Sequence, residues 1–441
     1  MNMPTSLRGI ANRAKTDRKA RFRNLYGLLN EENLRWCFYQ LRRSAATGVD
    51  GVSFDEYEAN LDENLAALVA RLKRKSYRAR LVRRKWIPKS GGKLRPLGIP
   101  ALEDKLLQVA VARILESIYE GDFLDVSWGY RRERGARTTS RALAGKLATS
   151  RCGWVVEADI RGFFDRLDQT WMIRMLEERV DDAPFLRLIA KWMKAGVLEE
   201  DGQVLHPVTG TPQGGIVSPV LANIYLHYAL DLWFMRRVKP QCRGHALLMR
   251  YADDFVCAFE HKDEAEAFLQ ELRDRLAKFN LELAEEKSGL VRFSRHDMKS
   301  NGGFSFLGFR YHWTLSRNGR PKVQRMTDPK KLRASVAAFT EWIKKHRHMR
   351  THRLMRKLKA KLAGYWNYYG VTGNGPSLAK FWWQVGRVLY KWLNRRSQRR
   401  SYRRWSDLAR CLDDFEVPRP RITEPRHAVA SHVQTCFGFY L

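Results

Sequence analysis

The chain has 441 residues and carries 81 Lys and Arg against 47 Asp and Glu, a formal net charge of +34. That surplus sets aside an ordinary acidic metabolic enzyme, and 44% apolar residues with 14 Trp set aside a disordered polybasic chain. A foldable, strongly basic chain of this length implies two to four domains and a polyanionic partner, for which nucleic acid is far commoner than a membrane surface.

Residues 1–24 are basic and weakly patterned; they read as a flexible nucleic-acid-binding arm rather than an organelle-targeting segment, and lack the apolar stretch of a secretion signal. Apolar positions recur at helical spacing over 33–72, interrupted by the turn-like run 47–51. Residues 80–86 read as a strand, 88–92 as a turn, 94–99 as a second extended segment and 104–119 as an amphipathic helix. The apolar run 153–160 predicts a strand ending at Asp159, 169–193 a helical stretch, and 221–233 a buried helix after the turn-rich 209–215. Residues 247–259 split into two apolar halves around Ala252-Asp253-Asp254 and predict a β-hairpin. A helix over 263–279 and a strand over 304–311 follow, and a domain boundary falls in 317–329, where Gly319, Pro321 and Pro329 break the pattern.

Charge concentrates late. Residues 310–410 hold 27 Lys and Arg against three Asp and Glu, so +24 of the +34 lies in under a quarter of the chain, beside seven of the 14 Trp. Basic side chains interleaved with aromatics suit phosphate neutralisation beside base stacking. The commoner role for such Trp residues is the core of a small helical domain, while the charge still needs an anionic partner. Six scattered cysteines without a C-x-x-C pair suggest neither a disulfide framework nor a zinc site. No run of about 18 apolar residues offers a membrane span.

Three aspartates carry the chemistry. Asp159 ends an apolar strand, and Asp253-Asp254 occupies a hairpin tip, where a carboxylate pair is not there for packing because burying such charges unpaired is costly. Their natural counter-charge is a hard divalent cation: Mg²⁺ prefers one or two carboxylates plus phosphate oxygens, and two such ions clamp the attacking and leaving oxygens of a phosphoryl transfer. An Asp-Asp turn alone is more often structural, and its company makes it specific. Ile87-Pro88-Lys89 and Arg95-Pro96-Leu97-Gly98-Ile99-Pro100 precede Asp104-Lys105 and Gln108; Ala158-Asp159-Ile160 with Phe163-Phe164-Asp165 and Thr211-Pro212-Gln213-Gly214-Gly215 precede Tyr251-Ala252-Asp253-Asp254. Glu286-Lys287-Ser288, Phe306-Leu307-Gly308-Phe309, Gly364-Tyr365-Trp366-Asn367-Tyr368-Tyr369-Gly370 and Trp392-Leu393-Asn394-Arg395-Arg396-Ser397 follow. In this order, over roughly residues 25–425, the motifs resemble the reverse transcriptases, and among them the group II intron reverse transcriptase/maturases.

The resemblance implies an α+β right-hand polymerase, with fingers and an antiparallel palm sheet over 25–315, an α-helical thumb/maturase domain over 325–400, and a basic segment, 401–441, where relatives have a small DNA-binding region. It implies Asp159, Asp253 and Asp254 as the catalytic, metal-binding triad, with Ile160 joining the metal set and two Mg²⁺ ions, or Mn²⁺ in their place, as cofactor. Lys89, Arg95, Gln213 and Lys287 match positions that bind the incoming dNTP, and Phe164, beside Phe163, matches the gate that rejects a 2′-hydroxyl. Taken alone, the two rings suit core packing equally well, and a lone Lys89 is usually solvated surface. Arg353, Arg356, Lys357, Lys359, Lys361, Arg395 and Arg396 are the basic positions expected to hold nucleic acid.

The implied activity is RNA-dependent DNA synthesis, joined to assistance in intron folding and splicing and to retrohoming by target-primed reverse transcription. Implied partners are group II intron RNA, template RNA and DNA primer, dNTPs and target DNA, with no membrane, for a monomer or homodimer in the cytoplasm, nucleoid-associated in a bacterial host. Two other readings share these residues: a domesticated relative in phage defence, a CRISPR locus or DNA repair, and an RNA-binding splicing chaperone with a vestigial polymerase. The chain departs from the family pattern at Ser127-Trp128-Gly129-Tyr130-Arg131-Arg132 and at Ser288, both expected to lie clear of the triad. The late His427 and His432 have only Cys411 and Cys436 near them, too few paired Cys and His to resemble an HNH endonuclease, so no DNA-cleaving domain is expected.

Overall fold

Helices α1 (Thr5–Thr16), α2 (Glu31–Phe38), α3 (Phe54–Ala59) and α4 (Leu61–Lys73) lead into a hairpin of β1 (Val82–Pro88) and β2 (Leu94–Ile99) in the computed structural model, which describes residues 4–88, 94–199, 201–205, 214–298, 302–396 and 401–425. Local polar residues set the helix starts: Asn30 accepts the Asn33 N–H, and Ser53 with Glu56 forms a capping box. Residues 1–24, expected as a flexible arm, instead join the core from α1 onward. Leu7 and Ala14, two helical turns apart, are buried as α1 packs on the central helix α5 (Leu102–Tyr119), and Phe22 bridges Val180.

Helix α5 is buried nearly all round, including the polar Asp104, Lys105 and Gln108. Each has a partner. Asp104 accepts from the Tyr77 hydroxyl and, at 3.1 Å, from the Arg80 N–H; Lys105 donates to the Ala46 carbonyl; Gln108 Oε1 accepts the Ile216 N–H at 2.7 Å. Next come α6 (Ala136–Thr149), β3 (Trp154–Ala158), α7 (Phe163–Arg166), α8 (Gln169–Glu177) and α9 (Ala183–Met193). The helical stretch expected over 169–193 is thus split, because Asp182 caps a new helix whose first turn holds Pro184. Short strands β4 (Val197–Leu198) and β5 (Val204–Leu205) extend the β1–β2 hairpin into a four-stranded sheet. Helix α10 (Ser218–Leu226) then runs through two π-helical segments, His227–Asp231 and Phe234–Val238, into α11 (Lys239–Gln241).

The central sheet is antiparallel in the order β6-β7-β3-β8, formed by β6 (Ala246–Tyr251), β7 (Asp254–Phe259), β3 and β8 (Gly289–Arg292), with α12 (Lys262–Ala277) packed against it. A smaller sheet holds β9 (Phe304–Phe306), β10 (Phe309–Leu315) and β11 (Pro321–Thr327). The single strand expected over 304–311 is a hairpin: Leu307 and Gly308 both take positive φ, 51° and 76°, as a tight two-residue turn requires. Since β11 pairs with β10, the change from sheet to helices falls at Asp328, whose carboxylate caps α13 (Pro329–His346) through the Lys330 and Lys331 N–H groups.

With α13, the helices α14 (Thr351–Tyr369), α15 (Gly375–Leu393) and α16 (Trp405–Asp414) form a bundle. Aromatics build its core: Trp366 is fully buried and Tyr365 stacks on Phe381 at 3.8 Å. Of the seven Trp in the basic region, only Trp383 and Trp405 are exposed, so most serve packing.

A strap returns from this bundle to the sheets. Pro418 accepts the Trp366 indole N–H at 2.9 Å, and the Thr423 and Glu424 N–H groups share the Gly370 carbonyl. A Cβ on Gly370 would lie 2.3 Å from the Trp366 carbonyl oxygen, so only glycine fits. Buried Arg325 of β11 pairs with buried Glu424 at 2.7 Å, and Arg137 of α6 donates to Thr423. Arg325→Met should therefore destabilise the protein by about 3 kcal/mol, the usual cost of leaving a buried charge alone. Adding Glu424→Leu should recover part of the loss, and urea denaturation of the two variants checks both effects.

Candidate active site

The register of the central sheet brings the aspartates together. Strand β3 pairs with β7 as Glu157↔Val256 and Ala158↔Phe255, and one further step sets Asp159 level with Asp254. Tyr251 pairs with Asp254 across β6 and β7, leaving Ala252 and Asp253 as a two-residue turn. The expected hairpin is thus present, with its acids beside the end of the expected strand. Burial raises the Asp253 carboxyl above the usual range, Asp159 adds to the rise, and Arg95 and Arg250 oppose it. Asp254 is exposed yet is pushed up to about 6, first by desolvation, then by the Asp253 and Asp159 charges, against Lys331 and Lys287. Like charges set level across a ladder repel and call for a cation. In the structure Lys287, expected on the nucleotide, meets that need by pairing with Asp159. Accordingly, among the described residues no three His, Cys, Asp or Glu side chains stand arranged around a metal position. Three carboxylates brought to one end of the sheet are nevertheless hard oxygen donors of the kind a divalent ion prefers.

What holds the turn is a buried network that the sequence reading missed. Arg250, fully buried one residue before Tyr251, donates to both carboxylate oxygens of fully buried Asp231, at 2.8 and 2.5 Å. Its remaining bonds reach Asn223 Oδ1 at 3.0 Å, Ser127 Oγ at 2.7 Å and the Ala252 carbonyl at 3.0 Å. Ala252 is left-handed, with φ of 57°, a conformation that costs an alanine energy unless its surroundings enforce it. Asp231 lies in the first π-helical segment. One signal was legible: Arg250 and Asp231 are lone charges inside otherwise apolar runs.

The departures from the family pattern were expected to stand clear of the triad, and they do not. Residues 126–128 lie along β6, exchanging main-chain bonds with Arg250, and Gly129 abuts the turn so closely that a Cβ would be 2.3 Å from the Ala252 nitrogen. Burial and then the Asp253 charge raise the Tyr130 hydroxyl. Asp159 donates its N–H to Ser288 Oγ at 3.4 Å.

Opposite the triad, β2 and the segment from Gly214 meet. Gly214 has φ of 117°, and a Cβ there would lie 2.4 Å from the Gly98 carbonyl oxygen, so the two glycine motifs are packing partners. Exposed Arg95 sits on the same strand, near enough for its charge to act on Asp253 and Tyr130. Phe163 and Phe164 are buried edge to face, 5.2 Å apart, after left-handed Gly162. Ile160 is buried and bridged to Leu283. Lys89 and Gln213 lie outside the described residues.

Residues 87–311 match the family described as reverse transcriptase (RNA-dependent DNA polymerase). The chain belongs to the reverse transcriptase family. Protein YkfC of Escherichia coli strain K12 is 32% identical over 371 aligned positions, covering 76% of this chain and 94% of that protein. Group II intron-encoded protein LtrA of Lactococcus lactis subsp. cremoris is 29% identical over 443 positions, covering 82% of this chain and 72% of that one. An uncharacterized 91 kDa protein in the cob intron of Schizosaccharomyces pombe is 34% identical over 207 positions, covering 46% and 25%. These relatives bear out the resemblance read from the motifs.

In this reverse transcriptase the expected nucleic-acid residues divide. Arg353, Arg356, Lys357 and Lys361 are exposed on α14, and Lys359 is half-buried against Glu416. Arg395 is exposed and lies over the Trp392 ring. Arg396 turns inward instead, onto the Arg347 and Met349 carbonyls and the Thr351 hydroxyl, where it ties α14 to α15. Arg250→Lys keeps a charge for Asp231 but cannot keep the bonds to Asn223, Ser127 and Ala252 together. Primer extension should fall about 100-fold, the scale of a misplaced catalytic group. Template–primer affinity, measured by fluorescence anisotropy, should change less than twofold.

Proposed function

We propose that this reverse transcriptase is the RNA-dependent DNA polymerase of a group II intron, which also assists that intron's RNA in folding and splicing and copies it at a target DNA. The observation that carries the polymerase reading is the register of Asp159 with the Asp253-Asp254 turn, clamped by Arg250. The reaction is attack of a primer 3′-hydroxyl on the α-phosphate of a dNTP with release of pyrophosphate. Two Mg²⁺ ions, when bound, supply charge neutralisation at the attacking and leaving oxygens. Asp159 and Asp253 are the principal metal-holding side chains, with Asp254 and the Ile160 main chain in support. Lys89 and Arg95 hold the triphosphate by charge-assisted bonds, with Gln213 beside the nucleotide. Lys287 is able to turn to the phosphates once Asp159 has another counter-charge. Phe164 closes the space that a 2′-hydroxyl would need.

Maturase activity rests on a second surface. The exposed cations of α14, with Arg395 and with Arg387 over the exposed Trp383, present phosphate-binding groups on a rigid bundle. Residues 401–441, with six Arg against five Asp and Glu, are the segment we assign to target DNA.

With Mg²⁺ and an oligo(dT)-primed poly(rA) template, the purified protein should incorporate dTTP, and absence of incorporation would remove the enzyme reading. Asp253→Ala should abolish incorporation yet leave RNA binding within twofold in a filter assay; loss of both would make the triad structural. Phe164→Ala should relax discrimination against ribonucleotides by about 10- to 100-fold, as removal of a contact from a shaped pocket does. The ratio of kcat/KM for dTTP over UTP reads this directly.

A further inference from the structure

The central sheet has a second end. Trp154, where β3 begins, pairs with Phe259 at the end of β7 and Arg292 at the end of β8, and around them opens a cavity of about 470 Å³. Five residues of strand separate it from Asp159, roughly 16 Å at about 3.3 Å per residue, so it is not part of the catalytic cleft.

Its lining is cationic: Arg151, Arg292, Arg295 and His296 face one lining carboxylate, Glu260. Three of the cations around it are held before any ligand arrives. Arg292 and Lys262 each sit 5.7 Å from the centre of the Trp154 ring, and Arg292 reaches Asp297 at 3.5 Å. Arg295 donates to the Ser150 carbonyl and lies 5.9 Å over the Trp313 ring. Glu260 is already engaged by the His245 N–H at 3.0 Å. Counting Lys262 with its partner Glu266 at 2.9 Å, and Asp297, four permanent cations face three carboxylates. Guanidinium groups fixed by carbonyls and aromatic faces around a concavity suit an anion rich in oxygen acceptors. The volume exceeds what a bare phosphate needs and falls in the range of sites for nucleotide-sized ligands. Arg151 and Arg292 are exposed at the rim, so a continuous strand can enter and leave.

We propose that this cavity binds a nucleotide unit of an RNA strand, as a nucleic-acid contact separate from both the template–primer site and the α14 surface. The choice of a strand over a free nucleotide rests on the polymerase and RNA-binding reading above. To test it, the full chain is first saturated with a template–primer duplex bearing a chain-terminated primer, and fluorescein-labelled rU12 is then titrated in. In an Arg356→Glu/Lys357→Glu background, which removes binding at the α14 surface, one further equivalent of rU12 should bind. Arg151→Glu/Arg292→Glu should weaken that binding at least tenfold and flatten its log–log salt slope by about 1.4, two phosphates at about 0.7 each. Extension of oligo(dT) on poly(rA) by the same variant should stay within twofold of the parent, which separates failure of this site from failure of the polymerase reading. Because Arg292 packs on Trp154, Arg151→Ala serves as the milder variant and should cost about threefold in rU12 affinity. No second equivalent, or an unchanged affinity and slope in the double variant, would overturn the proposal. Complete displacement of rU12 by AMP would also overturn it, assigning the cavity to a free nucleotide.

Discussion

The candidate active site depends on one buried ion pair. Arg250 and Asp231 are both fully removed from water, an arrangement whose desolvation cost is recovered only when every remaining donor finds a partner. Here they do: the guanidinium reaches Asp231 twice and then Asn223, Ser127 and Ala252. Its bond to the Ala252 carbonyl fixes the one residue of the turn whose conformation an alanine would otherwise avoid. With Ala252 fixed, Asp253 and Asp254 are aimed at Asp159 although three carboxylates repel one another. The π-helical segment is part of the same device, since Asp231 lies within it. Fold stability and the geometry of the three aspartates therefore converge on a residue that is itself wholly buried.

Close backbone approach is the second constraint, and it accounts for motifs that look unrelated along the chain. Gly129 lets its segment lie against the Asp253-Asp254 turn, and Gly214 packs directly on Gly98, while Gln108 from buried α5 takes the Ile216 N–H just beyond. These contacts hold the strand bearing Arg95 at a fixed distance from the triad. Polar residues of α5 thus act as internal fixings of the cleft wall, which is why a helix with so much apolar surface carries Asp104, Lys105 and Gln108 on buried positions.

Much of this was legible before any coordinates. Short apolar runs and extended segments bounded by turns predict β1, β2, β3 and the β6–β7 hairpin, and the acids fall where the strand ends put them, because a tight turn between two short apolar runs specifies their pairing. Elements whose form depends on distant partners were not. Helix α1 reads as a basic arm because its buried face is only a few small and apolar residues wide, enough for packing on α5 but too little to stand out amid so much charge. The 304–311 hairpin reads as one strand because its turn is only Leu307 and Gly308. The placement of Arg396 against loop carbonyls, and of Lys287 against Asp159, follows from tertiary geometry that charge counting along a chain does not contain.

The +24 of residues 310–410 also changes meaning once its position is known. Helix α13 starts at Asp328 beside the small sheet, and Lys331 in its first turn already acts on Asp254. From the next helix, Tyr368 donates to the Leu307 carbonyl and stacks on Phe309, and Tyr369 stands against Gly308. The Tyr-Tyr-Gly motif is therefore a joint between bundle and sheet, and the strap through Arg325 and Glu424 closes the joint from the other side. A basic bundle fastened at two points beside the triad cannot swing independently of it. On the function proposed above, phosphates gathered on α14 and α15 would lie at a set distance from the aspartates, so that grip on a strand and alignment of its end would be one structural property.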